Sequence, residues 1–397
     1  MPTLRFTRLS KPEVVRSIDP IRLLTLLKPH AEFLRSRGLK LPTPSKASWL
    51  DHQRLMPILI SPGEKAPPDL LDALSMIDQM SAPRAIDVVL DHLSMADVQL
   101  TTNGNHSAAD IVTQAWLHHR ETLLRLHALL KATGARSFDC FQTKQLEIPE
   151  FQMPTNKTLR HLEVDLDSWF ESRARGRGTQ VTIFPQEHEV FFSIRHGHLF
   201  RREECLDDGK FGMVGYRPVQ SDTVIFDRRL GELRINASTK KEKLLYRRLI
   251  GKHFFGDPEF FPLGDKYTLE ALREYGEAAL SCGDFEEIRG VRLTELSLFN
   301  GGVHNEVTIR KATDLFGLFE LNQEDIPTEP RLAAATMKIS LIGRRYEKTI
   351  TLRPPNVAIY RRGNDGGVLD AWLEQRGFVK SQKSNSVRYD ESALASA

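Results

Sequence analysis

The spacing of apolar residues changes near residue 155, and this constrains the fold more than any other feature of the chain. Before that point apolar residues recur every three or four positions. After it, short stretches alternate and are rich in β-branched and aromatic residues. A helical period does not hold one face of a sheet, nor a two-residue period one face of a helix. A single uniform architecture is therefore excluded. The expected fold class is mixed: an all-α N-terminal domain over 1–150, an α+β middle domain over 155–325, and a small α+β module, a hairpin plus a helix, over 331–380. The polar stretch 381–397 is expected to be a disordered tail. A chain of 397 residues has room for two or three such cores.

In the helical part, Ser10 and Glu13 have capping-box spacing, and Asp19-Pro20 starts a helix with Ile21, Leu24, Leu27 and Ala31 on one face. Pro29 should split that helix, and Gly38 should end it. A proline-rich passage from Pro42 to Pro68 reads as irregular. Helices are then predicted over 69–80, 84–93 and 109–133, the last opened by Ser107 and closed by Gly134. Beyond 155, strands are predicted at 181–184 and 189–195 around a turn at 185–188, and at 223–226 and 232–236. Thr239 and Glu242 form a capping box that opens a helix to about Phe255. Another helix follows at 268–280, then strands at 291–299 and 306–310 and a short helix at 313–320. The last unit reads as a hairpin, 336–342 with 348–352, and a helix over 367–376 ended by Gly377.

Several chemistries are excluded by their motifs. No Gly-Lys-Ser/Thr occurs: Gly209-Lys210 precedes Phe211, and Gly251-Lys252 precedes His253. A phosphate-cradling P-loop is thus absent. Cys-x-x-Cys, His-Glu-x-x-His and Gly-x-Ser-x-Gly are also absent. Cys140, Cys205 and Cys282 are odd in number and far apart, which fits no disulfide framework and points to a reducing, cytoplasmic setting. Cys140 itself reads as a small buried hydrophobe. No apolar run is long enough to span a bilayer, and the basic stretch Met1–Ser10 leads into no apolar run with a cleavage site. No membrane partner and no secretory signal are therefore expected.

Two constellations could hold a metal. His196-Gly-His198 places two imidazoles at i,i+2, with Glu187, His188 and Glu189 on the opposing side of a hairpin. Asp222, Asp227 and Glu232 follow the order of a restriction-type nuclease core, in which two carboxylates hold Mg²⁺ and a lysine assists. Here Arg234 stands in the lysine's place, and an arginine stays protonated.

The net charge of +3 conceals clustering. Nine Lys and Arg residues face two Glu between Arg228 and Lys252, among them Arg228, Arg229, Lys240, Lys241, Lys243, Arg247 and Arg248. A second strip holds Arg344, Arg345, Lys348, Arg353, Arg361 and Arg362 against Glu347. Such strips neutralise phosphates in a salt-dependent way. The expectation is a nucleic-acid-binding or adaptor protein without catalysis or cofactor, which also engages a protein partner or a second copy of itself. A Mg²⁺-dependent nuclease and a purely protein–protein scaffold are the alternatives.

Overall fold

A computed structural model describes residues 6–63, 65–95, 107–143, 145, 147–207, 209–362 and 365–380. The tail expected at 381–397 lies outside the described residues. The helices are α1 (Pro12–Arg16), α2 (Pro20–Leu27), α3 (Ala31–Ser36), α4 (His52–Ile60), α5 (Pro68–Met80), α6 (Pro83–Met95), α7 (Ala108–His118), α8 (Arg120–Thr133), α9 (Asn156–Glu171), α10 (Lys240–Phe255), α11 (Glu270–Tyr275), α12 (Leu315–Asn322) and α13 (Gly366–Gln375). The strands are β1 (Ser137–Gln142), β2 (Gln180–Pro185), β3 (Glu189–Gly197), β4 (Arg201–Asp207), β5 (Lys210–Tyr216), β6 (Val219–Asp227), β7 (Glu232–Asn236), β8 (Ile288–Gly301), β9 (Glu306–Lys311), β10 (Arg331–Leu341), β11 (Lys348–Arg353) and β12 (Val357–Ile359). Helix and antiparallel sheet thus share the chain. It divides into two compact units, 1–131 with 201–216, and 132–200 with 217–397.

The first unit is built on one helical core that includes Leu23, Leu27, Leu34, Leu55, Ile77 and Val112. Asp19 caps α2 by accepting the Ile21 and Arg22 amides, with Pro20 at the first helical position, where no amide is needed. Two buried carboxylates pin the chain start to this core. Asp78 accepts the backbone amides of Thr7, Arg8 and Leu9. Asp110 pairs with Arg22 at 2.7 Å and accepts the Asp19 amide. The chain breaks at Pro29 between α2 and α3, as its fixed φ requires. Two expectations are corrected. Ser10 bonds the Thr7 carbonyl instead of capping α1. The helix predicted over 109–133 is two helices, divided at His119 with φ −136°, and no proline or glycine marks that break. β4 and β5 form a separate hairpin, which the sequence reading missed.

In the second unit ten antiparallel strands form one sheet in the order β2-β3-β6-β7-β1-β12-β11-β10-β8-β9. This corrects two expected boundaries. β1, placed within an all-α domain, lies in the middle of the sheet between β7 and β12. β10 pairs with β8 across the supposed boundary at 325–331, so residues 331–380 complete this sheet and form no separate module. A strand needs a neighbour to satisfy its backbone groups, and here the neighbours are distant in sequence.

The helices change faces across the sheet. α9 and α10 cover the face carrying Phe141, Val190, Phe192, Val224, Phe226, Leu233 and Ile235. Side chains alternate along a strand, so Cys140, opposite Arg234, lies on the other face. That other face continues through the pairs Phe138↔Ala358, Ala358↔Leu352 and Leu352↔Ala335. There α13 approaches, its Asp370 accepting the Tyr360 hydroxyl and its Trp372 indole donating to the Ser281 carbonyl.

α10 has the capping box expected of Thr239 and Glu242, and ends at Gly256 with φ 75°. Gly251 lies within this helix where the following loop returns close to its backbone. A Cβ there would stand 2.5 Å from the Asp257 carbonyl oxygen. On helix propensity alone Gly251→Ala should stabilise by about 1 kcal/mol. The clash reverses the sign: we expect a loss of about 1–3 kcal/mol in urea unfolding, and a gain would refute the close approach.

Candidate functional site

The residues expected to hold Mg²⁺ do not converge. Asp222 points into the α9–α10 side of the sheet, where its carboxylate accepts from the Tyr246 hydroxyl (2.7 Å) and Gln220 (3.0 Å) and lies 3.1 Å from His196 Nε2. Asp227 and Glu232 lie on the opposite face, five and ten residues on, as strand alternation around a turn requires. Both are already matched by cations. Arg234 lies 2.8 Å from Asp227, 3.1 Å from Glu232 and 2.8 Å from Glu189, and Lys266 binds the other Glu232 oxygen. The arginine in the lysine position therefore holds the acids as a fixed cation. Burial alone would raise the Glu232 carboxyl, but Lys266 and Arg234 outweigh it and hold it below the usual range. Beside this cluster, burial and then Glu232 push the Cys140 thiol up, which favours its protonated form.

The expected His196–His198 metal site is also rearranged. β2 and β3 pair Gln180 with Arg195 and Pro185 with Val190, so Glu187 and His188 lie at the turn and His196 at the far end of β3. Eight residues of strand separate them, about 26 Å. His196 gathers instead with Asp222 and Glu242, their ligand atoms all within 4.8 Å. By chemistry these three could take a divalent cation. In the structure their groups are engaged by protein. The His196 ring lies 3.9 Å from that of Phe170 and faces the Gly197 carbonyl through Nδ1 at 2.9 Å. Glu242 pairs with Arg175 and accepts the Thr239 amide. Burial and Asp222 push the Tyr246 hydroxyl well above its usual value, which keeps it a donor. Arg175 occupies the role a cation would have, and the cluster ties β3, β6 and α10 together. His198 is not among the three.

Burial divides the basic strips. Arg247 is buried, bound to the Phe261 carbonyl and to Glu259 at 3.0 Å, and Lys243 is held by Asp139 at 2.6 Å. Arg228 lies half-buried over the Phe151 ring, while Arg229 is exposed. In the C-terminal strip, Arg344 and Lys348 both close on Asp365 at 2.9 Å. Arg362 is enclosed by the Tyr360 and Phe138 rings. Arg353 alternates with Leu352 and lies on the face opposite Lys348; Arg345 and Arg361 are exposed. That strip does not form one surface.

What remains exposed on α10 is Lys240, Lys241, Arg248 and Lys252. Lys241, Arg248 and Lys252 line a groove of about 460 Å³ together with Leu244, Leu245, Leu249, Pro258, and Trp169 and Arg173 at the end of α9. Among the described residues no carboxylate lines it. Arg173 holds its guanidinium 3.8 Å above the Trp169 ring, with bonds to the Trp169 carbonyl and the Ser172 hydroxyl. Lys252 pairs outside the groove with Asp165 at 2.7 Å, and Arg248 has a long 3.6 Å contact to Glu259. Lys240 and Lys241 have no ion-pair partner among the described residues. Leu244, Leu245 and Leu249 are half-buried and form the groove floor, Leu245 and Leu249 also packing against the core beneath. The sequence reading missed α9, and with it Trp169 and Arg173. The signal was present: Thr155 at the cap, then Leu162, Leu166 and Phe170 at four-residue spacing, all three buried.

No protein-family model matches the chain, and no curated protein sequence matches it.

The Glu232 ion pair yields a pH test. Its carboxyl is depressed in the folded state, so its stabilisation is present above the unfolded value of about 4.3. That stabilisation is lost as the pH falls through the lower folded value. Glu232→Gln should cost about 3–5 kcal/mol near neutrality by leaving Lys266 and Arg234 undercompensated. The gap to the parent should narrow as the pH drops below about 4. Urea unfolding at neutral and acid pH measures it, and a pH-independent gap would mean that Glu232 acts by shape rather than by charge.

Proposed function

We propose that this chain is a non-catalytic nucleic-acid-binding protein, holding phosphate backbone in the groove between α9 and α10. One observation carries the proposal: four cations, Arg173, Lys241, Arg248 and Lys252, line a cavity that among the described residues has no carboxylate in its wall. Like charges gather on a surface at a cost in mutual repulsion, and a polyanion relieves that cost by releasing its own counterions. Three of the cations recur along α10 at positions 241, 248 and 252, one face of a helix. The nuclease alternative has the weaker support, because Asp227 and Glu232 are already bound to Arg234 and Asp222 lies across the sheet. The test is fluorescence anisotropy with a labelled oligonucleotide at about 50 and about 200 mM salt. Lys241→Glu with Arg248→Glu should weaken binding roughly tenfold or more at the lower salt and reduce the salt slope by about 2. The parent should leave the oligonucleotide intact with Mg²⁺ present. An unchanged slope in the double variant would remove the groove from the binding surface.

The β4–β5 hairpin favours a second role as a protein scaffold, including self-association. It is a two-stranded ribbon with Leu206, Phe211 and Met213 exposed, Phe211 at 91%. Leu206 pairs with Phe211 across the strands, and alternation puts Met213 on the same side. A lone hairpin is marginal in water, and a partner covering that side would stabilise it. Light scattering over a concentration series checks this. The parent mass should rise with concentration and that of Phe211→Ser should stay at the monomer; two concentration-independent monomers would eliminate self-association through the hairpin.

A further inference from the structure

The groove has a property that holding phosphates alone does not require: an apolar floor. Leu244, Leu245, Leu249, Pro258 and Trp169 form it, and the cations stand around them. A duplex offers phosphates and sugars along its outside and keeps its bases stacked within, so it would leave such a floor uncovered. A single strand offers phosphates on one side and free base faces on the other. The geometry is also prepared for stacking. Trp169 is steadied edge-on by Phe170, with ring centroids 5.2 Å apart at 87°. Arg173 lies over the indole, its guanidinium fixed by two hydrogen bonds. Planar guanidinium and indole together make a platform for one more flat ring. At 1.5 Å per residue, Lys241 and Lys252 stand about 16 Å apart along α10, a span of a few nucleotides.

Resting on the reading of this groove as a phosphate site, we infer that its ligand is single-stranded nucleic acid. One base stacks on the Trp169–Arg173 platform, and the flanking phosphates lie on Lys241, Arg248 and Lys252. The charge arrangement favours this strand over an acidic amphipathic peptide, whose carboxylates would have to alternate with apolar side chains at the same spacing as the rim. Base stacking is indifferent to sequence because every base has a flat face, so the site should show little sequence preference.

The experiment compares three labelled probes of equal length with the intact chain: a single-stranded oligonucleotide, its duplex, and a single strand made of abasic sites. The single strand should bind roughly tenfold or more tightly than either of the others. Trp169→Leu should bring the single strand down to the level of the abasic probe. Trp169→Phe, which keeps a ring, should retain most of the preference, and the thermal midpoint of each variant verifies folding. Intrinsic tryptophan fluorescence should be quenched by the single strand in the parent and not in Trp169→Leu. Equal affinity for all three probes with Trp169→Leu silent would overturn the stacking inference while leaving the phosphate site standing. Failure of every probe to bind at low salt, with an acidic amphipathic peptide bound instead, would overturn both.

Discussion

The second unit depends on β1, the strand at which the two halves of the sheet join. β1 pairs with β7 through Asp139 to Gln142 and with β12 through Ser137 to Asp139. This is also where the helices exchange faces. An apolar core that ends on one face and resumes on the other leaves polar side chains trapped at the crossing. They must be matched there, since an unpaired buried charge costs several kcal/mol. The ties found at the crossing answer that need: Lys266 on Glu232, Arg362 over Phe138, and the Tyr267 hydroxyl 3.7 Å from the Cys140 sulfur. The Asp227–Glu232–Arg234 constellation, which in sequence order imitates a metal centre, has its physical origin in this crossing.

Burial decides what each basic residue does. Arg247 and Arg248 are neighbours on α10, turned from one another by about 100°. Arg247 faces inward, where its guanidinium binds the Phe261 carbonyl and anchors the loop after the helix. Arg248 faces the groove and among the described residues has one long carboxylate contact, to Glu259. The same division separates Lys243, held by Asp139, from Lys241, which has no such partner among the described residues. Counting charge along the sequence treats these four residues alike. Only the helix phase together with the packing of α9 separates them.

This explains which parts of the structure were legible in sequence. Local signals survived folding: the Thr239–Glu242 capping box, the strands at 181–184 and 232–236, the break at Pro29 and the stop at Gly377 all have short-range causes. Long-range pairing was not legible. Nothing within β1 shows that Phe138 and Phe141 belong to opposite faces of a sheet completed by strands more than ninety residues away. The candidate site was half legible. Lys241 and Arg248 stand out by charge, whereas Trp169 and Arg173 are ordinary residues of an amphipathic helix until α9 lies beside α10. The strip at 344–362 reads as continuous in sequence, whereas strand alternation sends Lys348 and Arg353 to opposite faces.

The two kinds of charge in this unit bear on the proposed binding role in opposite ways. A reactive centre needs ionisable groups whose perturbation is left for a substrate to use, close to solvent. The perturbed groups here are deeply buried and directed at protein partners, Glu232, Lys266 and Cys140 at one another on one face and Tyr246 at Asp222 on the other, so their perturbation is spent on the fold. The cations of the groove show the reverse. They lie at the surface around an apolar floor, and among the described residues the wall they share contains no carboxylate, Asp165 and Glu259 meeting Lys252 and Arg248 from outside it. A ligand that brings both negative charge and flat apolar faces satisfies the rim and the floor together, whereas a ligand with one of these properties leaves the other half of the groove in water.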